Sequence, residues 1–308
     1  MQAPDVSVII PCFNTKACIA TAIDSALEQK GHAVEVIVVD DGSTDGTYIE
    51  VQDRYGNEPR VKLIRLARNM GPSAARNAAL DAATGVWIGL LDSDDWWLPN
   101  RLSHLLEQSE TADFIADNIM GYDATAKTQT GAIYLDRETG PLTFSDFVRA
   151  RREGEHDLGY LQPLIRRSFL EENGIRYNES IRAGEDLLLN LQILLSGARV
   201  LYVKEPLYVY ALPVGPLSKV ASPHSRSSAD TTALLSALRQ LRTDMEDRMS
   251  PEELEALDRR IEDFDQMAPI GAFHRAKAKR DFVAMLRLVA TSRIVRKRIL
   301  RRLLGSEN

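Results

Sequence analysis

Cysteine, histidine and long apolar runs are scarce in this 308-residue chain. The two cysteines, Cys12 and Cys18, lie six residues apart, one in a strand pattern and one in the helix pattern that follows, so no disulfide is expected between them. With five histidines and no Cys/His cluster they form no zinc site, and they read as buried thiols of a reducing compartment. No stretch approaches the ~18 apolar residues of a membrane span. Met1-Gln2-Ala3-Pro4-Asp5 lacks the basic start of a secretory signal. The expected location is cytoplasmic, or peripheral on the inner face of the cytoplasmic membrane. A Gly-rich loop bearing Lys or Arg is also missing after the first strand pattern, which ends Pro11-Cys12-Phe13-Asn14. That counts against a sugar-nucleotide nucleotidyltransferase.

Charge is unevenly spread beneath a net −6. From Arg275 to Arg302 there are eleven Lys or Arg and one acid, Asp281, whereas the rest of the chain has 27 bases and 43 acids. An acidic body excludes a general nucleic-acid binder, which needs a basic face. In Ser292–Leu304, Val295, Ile299, Leu300, Leu303 and Leu304 project to one side of a helix and Lys297, Arg298, Arg301 and Arg302 to the other. Arg296 and Ile294 break that pattern. Such a helix suits either an anionic membrane surface or docking on the acidic body.

The first hundred residues alternate between two periods. Val6–Ile10, Val34–Val39, Val61–Leu66 and Val86–Leu91 are short apolar strand patterns. Between them lie helical patterns over Lys16–Gln29, from Ser43 or Thr44 to Tyr55, and over Ser73–Ala83. This alternation predicts an α/β fold with a mostly parallel, Rossmann-like central sheet flanked by helices. Ligands of such sheets bind beyond the carboxyl ends of the strands, where Asn14, Asp40-Asp41, Arg68-Asn69 and Asp92-Ser93-Asp94-Asp95 stand. Further on, Arg101–Gln108, Leu142–Arg151 and Gly184–Leu195 read as helices. Phe114–Ile119, Val200–Val203 and Leu207–Ala211 read as strands, and Ala124–Gly131 as a polar turn. A Pro/Ser-rich segment over 213–230 reads as a mobile loop, and Ser250-Pro251-Glu252-Glu253 as a strong helix start.

Three carboxylates in four residues, Asp92, Asp94 and Asp95, are unfavourable at a strand end unless a cation or a donor-rich ligand is present. Hard oxygen donors suit Mg²⁺ or Mn²⁺, which bind a few carboxylates together with substrate phosphates. A metal-held diphosphate is therefore expected, with Asp94 as the leading ligand and Asp92 and Asp95 on ribose or around the metal. A solvated turn capping the next helix is the alternative. Pro11, Phe13 and Asn14 are candidates for a base slot, Asp41 for accepting from a base N–H or a ribose hydroxyl, and Arg76 for facing base or phosphate. Trp96 and Trp97 offer either a sugar platform or core packing.

Taken together, Ser7–Asn14, Val39–Gly46, Gly71–Asn77 and Leu91–Asp95 resemble the successive signatures of family 2 glycosyltransferases. The resemblance is strong over about 5–110, weaker to about 212 and absent from the tail. It implies a GT-A fold, a UDP-sugar donor and a divalent cation. The implied organisation is a glycosyltransferase domain over 1–215, split into a nucleotide-sugar half (1–110) and an acceptor half (111–215). A loop and a basic helical C-terminal extension would occupy 216–308. The resemblance also assigns Gly184-Glu185-Asp186 to the motif that supplies the catalytic base. Asp186 would take the acceptor hydroxyl proton, and Glu185 would bind or orient the acceptor. Gly159–Arg167 is similar to the acceptor-bordering stretch of bacterial exopolysaccharide glucosyltransferases of the succinoglycan type. His224 could meet the metal as in some relatives, though it and His156 fit surface positions better. Processive relatives carry membrane spans and a Gln-X-X-Arg-Trp motif, and neither is found. The implied activity is inverting transfer of one hexose, from a donor such as UDP-glucose, to a growing lipid-linked oligosaccharide. A non-catalytic nucleotide-sugar-binding scaffold is the alternative outside enzymes.

Overall fold

The computed structural model describes residues 4–149, 156–212 and 230–303. The predicted 213–230 loop and His224 lie, apart from Asp230, outside these residues. Within them are two compact units, one comprising 4–147, 156–180 and 185–212 and the other 148–149, 181–184 and 230–303.

In the first unit, strands β1 (Val6–Cys12), β2 (Val34–Asp40), β3 (Val61–Arg65) and β4 (Trp87–Leu90) alternate with helices α1 (Ile19–Leu27), α2 (Thr47–Tyr55) and α3 (Pro72–Ala82). The strands form where β-branched residues run together: every residue of β2 is buried, as expected for a parallel strand covered on both faces. All pairings here are parallel, in the order β3-β2-β1-β4, with Val8 opposite Val36 on one side and Gly89 on the other. Strand order reverses between β1 and β4. The carboxyl ends of those two strands, followed by Asn14 and Asp92, are therefore where a crevice is to be sought.

The second half completes a mixed ten-stranded sheet. It adds β5 (Trp96–Trp97), α4 (Arg101–Leu106), β6 (Phe114–Asp123), β7 (Thr128–Ala132), β8 (Gly140–Pro141), α5 (Phe144–Val148), β9 (Leu164–Arg166), α6 (Arg167–Glu172), α7 (Glu185–Leu195) and β10 (Val200–Leu212). β9 enters antiparallel between β4 and β6, and β10 runs parallel to β6.

Three local expectations change. The polar turn over 124–131 is a hairpin: Thr128–Ala132 pairs back onto β6. The two strands expected over 200–211 are one strand that continues through Pro206, where the β6 register shifts. Helix α2 starts at Thr47 rather than near Ser43, because Ser43 and Thr44 are committed elsewhere. Ser43 Oγ accepts from the Asn14 amide and the Thr44 amide donates to Asn14 Oδ1, both at 2.9 Å.

One buried charge organises this half. Arg101, fully buried in α4, donates to Asp117 of β6 at 2.6 Å and stacks on Trp97 with its guanidinium carbon 4.5 Å from the ring. It also donates to the Gln162 carbonyl, which fixes the strand entry to β9. Trp97 is therefore a core residue.

The second unit is helical, with α8 (Thr232–Asp244), α9 (Pro251–Ala278), α10 (Phe282–Thr291) and α11 (Arg293–Leu303). The predicted start at Ser250 is a full capping box: Ser250 Oγ accepts from the Glu253 amide, and Glu253 accepts from the Ser250 amide. Among the described residues no helix is long and apolar enough to cross a membrane.

Candidate active site

Each parallel strand delivers polar residues to its carboxyl end, but they serve different ends. After β1, Asn14 takes a left-handed backbone (φ 55°) and clips the 43–44 turn through the two hydrogen bonds above. Pro11 is partly exposed, and Phe13 projects with 44% of its surface exposed. After β2, Asp41 is buried and accepts from the Met70 and Gly71 amides at 2.6 and 2.7 Å. Gly42 allows the close approach this needs: a Cβ there would lie 2.7 Å from the Arg68 carbonyl carbon. Asp41 thus sets the loop from which α3 departs.

Helix α3 carries Arg76 inward. Its side chain is 5% exposed and meets carboxylates from two chain segments: Asp92 at 2.9 Å, Glu185 at 2.8 Å and Asp186 at 3.7 Å. Tyr177 adds a cation–π contact, its ring centroid 5.3 Å from the guanidinium carbon. Arg76 was expected to face a base or phosphate. Its donors point instead to the acids after β4 and at the start of α7. This salt bridge across 109 residues of sequence brings together the two acidic motifs singled out in the chain.

The three aspartates after β4 differ sharply. Asp92 is held on both oxygens, by Arg76 and by Gln162 Nε2 at 3.2 Å. Asp95 is buried and accepts from Tyr208 Oη at 2.7 Å and from the Ala211 amide at 2.8 Å. Burial and the neighbouring Asp94 and Asp92 charges raise its pKa well above the usual carboxylate range. Asp94 is exposed, and no other residue donates to its side chain among the described residues. Desolvation by its surroundings and the Asp92 charge push its pKa up to about 6.

Glu185 and Asp186 occupy the first turn of α7, where the helix dipole favours negative charge. Gly184 before them has φ 82°, a turn that starts the helix at Glu185. Leu187, Leu188, Leu189 and Leu191 are buried and lock the helix. Asp186 keeps 19% of its side chain exposed. Desolvation is the largest influence on it and pushes its pKa up to about 7; Arg76 opposes this, and the Glu185 and Asp92 charges reinforce it.

Sequence reasoning missed three supporting residues. Gln162 orients Asp92, Tyr208 links Asp95 to the Asp92 amide, and Tyr177 sits against the Arg76–Asp186 pair. Tyr177 and Tyr208 carried no signal beyond their apolar surroundings, whereas Gln162 lay inside the acceptor-bordering stretch. Trp96, partly exposed, packs edge-on against Tyr122 at 4.9 Å. Tyr160, 39% exposed, lies edge-on to Tyr210 at 6.3 Å. His156 is exposed.

Among the described residues no cluster of three His, Cys, Asp or Glu could hold a metal alone. The donor chemistry nevertheless fits a cation shared with a diphosphate. Asp94 is an uncommitted, charge-strained carboxylate, and Mg²⁺ commonly takes one or two carboxylates, substrate phosphates and water.

An open α/β sheet with its acids gathered at the strand-order reversal, extended by a mixed second half, is the GT-A glycosyltransferase fold. Solved structures agree. The chain superposes on S. aureus TarS 1–349 in complex with UDP with a TM-score of 0.62 at 21% identity, covering 89% of this chain and 72% of that fragment. The mannosyltransferase PcManGT from Pyrobaculum calidifontis, in complex with GDP-Man and Mn²⁺, gives 0.54 at 19% identity, covering 100% and 89%. In sequence, residues 7–174 match the glycosyl transferase family 2 profile, and the chain belongs to that family. It is 37% identical over 225 residues to the succinoglycan biosynthesis protein ExoO of Rhizobium meliloti (strain 1021), covering 71% of this chain and 64% of ExoO. With ExoU of the same organism it shares 41% over 204 residues, 63% of this chain and 58% of ExoU. The chain thus spans about three fifths of the length of these relatives.

Proposed function

We propose that the chain catalyses inverting, metal-dependent transfer of one hexose from a UDP-sugar, UDP-glucose being the first choice, to a growing lipid-linked exopolysaccharide oligosaccharide. The observation that carries this reading is the Arg76 bridge. It ties Asp92, beside the proposed donor ligand Asp94, to Glu185 and Asp186, the proposed acceptor-side acids.

Asp186 acts as base. A pKa near 7 matches a group that must be ionised in part at neutral pH and still hold a proton as it leaves the acceptor hydroxyl. The acceptor oxygen attacks the anomeric carbon as its proton passes to Asp186, and the glycosidic bond to the diphosphate breaks on the opposite face. Glu185, whose Oε1 is held by Arg76, keeps the base oriented and its charge in place. Asp94 holds the Mg²⁺ or Mn²⁺; Asp92 and Asp95 maintain the loop on which Asp94 stands. When bound, the cation neutralises charge developing on the departing diphosphate. Pro11 and Phe13 border the base, Asn14 and Asp41 shape the nucleotide end, and Tyr160 and Trp96 border the acceptor. The lipid-linked acceptor places the working enzyme at the inner membrane surface. Support also comes from the succinoglycan-related sequences and from the UDP and GDP-Man complexes of structural neighbours.

A donor screen with UDP release as readout tests the reading. Turnover with one UDP-hexose, abolished by EDTA and restored by Mg²⁺ or Mn²⁺, is the expected result. UDP-sugar binding without any turnover in the presence of lipid-linked glycan acceptors would leave the scaffold reading in its place.

A further inference from the structure

The apolar side of α11 suited either a membrane surface or docking on the protein, and part of it is used inside the helical unit: Val295 is 2% exposed and Ile299 is partly buried. Helix α10 packs on α9 and α11 through one side, where Ala284, Met285, Leu288 and Val289 are partly buried, and leaves its other side bare. It is strongly apolar, yet none of its residues is buried. Phe282, Val283 and Leu286 are 67%, 79% and 70% exposed. Phe282 and Leu286 stand one turn apart on the same face, with Val283 beside them. Large apolar side chains clustered in water mark an interaction surface.

Cations flank this helix at both ends. Lys277, Lys279 and Arg280 precede it and Arg287 sits within it, all exposed and none in an ion pair among the described residues. Asp281, the one acid of the stretch, accepts from the Ala284 amide at 2.9 Å as the helix cap. At the far end Arg296 donates to the Val289 and Ala290 carbonyls and so binds α11 to the end of α10. Arg293 and Lys297 line an open cleft of about 640 Å³ with Gln266, Pro269 and Leu288.

We propose that α10 lies in the headgroup layer of an anionic phospholipid bilayer, inserting Phe282, Val283 and Leu286, while the cations at its two ends engage lipid phosphates. Charge decides between occupants. A second copy docked on the same face would bring two sets of unpaired cations together, whereas anionic lipid neutralises them. The assignment deepens the lipid-linked-acceptor reading, but its readout is vesicle binding, so either can fail alone.

The experiment is co-flotation of the full chain with vesicles of phosphatidylcholine alone or mixed equally with phosphatidylglycerol. Binding to the anionic vesicles only, weakened by added NaCl, is expected. The triple variant Phe282→Ser, Val283→Ser, Leu286→Ser should lose about tenfold or more in partitioning, given the apolar area withdrawn from the interface. Its melting temperature should stay unchanged, because these side chains are exposed. Lys277→Gln, Lys279→Gln, Arg280→Gln should lose about tenfold at low salt only. The proposal is overturned by equal binding to both vesicle types, by wild-type binding of the apolar triple variant, or by a vesicle-inert dimer that this variant converts to monomer.

Discussion

The cations at the centre of the sheet unit and those around α10 in the helical unit are handled in opposite ways. In the sheet unit Arg76 and Arg101 are 5% and 0% exposed, and each meets carboxylates of other elements within hydrogen-bond distance. Around α10 in the helical unit, Lys277, Lys279, Arg280 and Arg287 are exposed and form no ion pair among the described residues. An arginine buried among acids fixes geometry and proton affinity inside the protein. Cations left outside beside bare apolar side chains remain available to something external. Under the two proposals above, the contrast separates residues that build the chemistry from residues that choose where it happens.

The sharpest way to break this contrast is at its acidic end. Asp186→Asn should lower transfer by about a thousandfold or more, as expected when a general base is removed along with its charge. UDP affinity, measured calorimetrically, should hold. Arg76→Met should be nearly as damaging, and to stability as well. It strands buried acids without their cation, so about 3–5 kcal/mol of stability should disappear in urea titration. Asp94→Ala should remove the Mg²⁺ or Mn²⁺ dependence of UDP binding while leaving the fold intact, since no other residue donates to that side chain among the described residues.

Smaller effects sharpen the comparison. Glu185→Gln deletes a charge that raises the Asp186 pKa, so the acid limb of the pH–rate profile should move down by up to about one pH unit. Smallest of all is Arg239→Ala in the helical unit. Its pair with Asp265 is 56% and 59% exposed, and its loss should change stability by less than about 0.5 kcal/mol.

Much of this was legible in the chain. The apolar periodicities located β1 to β4 and α1 to α3 within a few residues, because a parallel core permits little besides β-branched runs and amphipathic helices. The capping box at Ser250 was equally plain. What escaped was decided by distant partners. Pro206 has no amide to donate and read as a break, yet β10 absorbs it in a register shift against β6. Trp96–Trp97 read as platform or core and became a strand, because β10 offers an antiparallel partner. At the site the residue types were visible but not their directions. Arg76 could have faced a phosphate, and only the fold brings Asp92, Glu185 and Asp186 around it.

Whether the Arg76 bridge sets Asp186 as the base is decided by the pH dependence of kcat/KM for the preferred donor. The folded-state pKa of Asp186 is raised, so the active, ionised form is present above about pH 7 and lost as pH falls through it. The expected result is an acid limb near pH 7 that moves upward in Arg76→Lys, where a flexible point charge replaces the fork that meets the acids. A profile flat from about pH 5 to 8, or one that Arg76→Lys leaves in place, would contradict it.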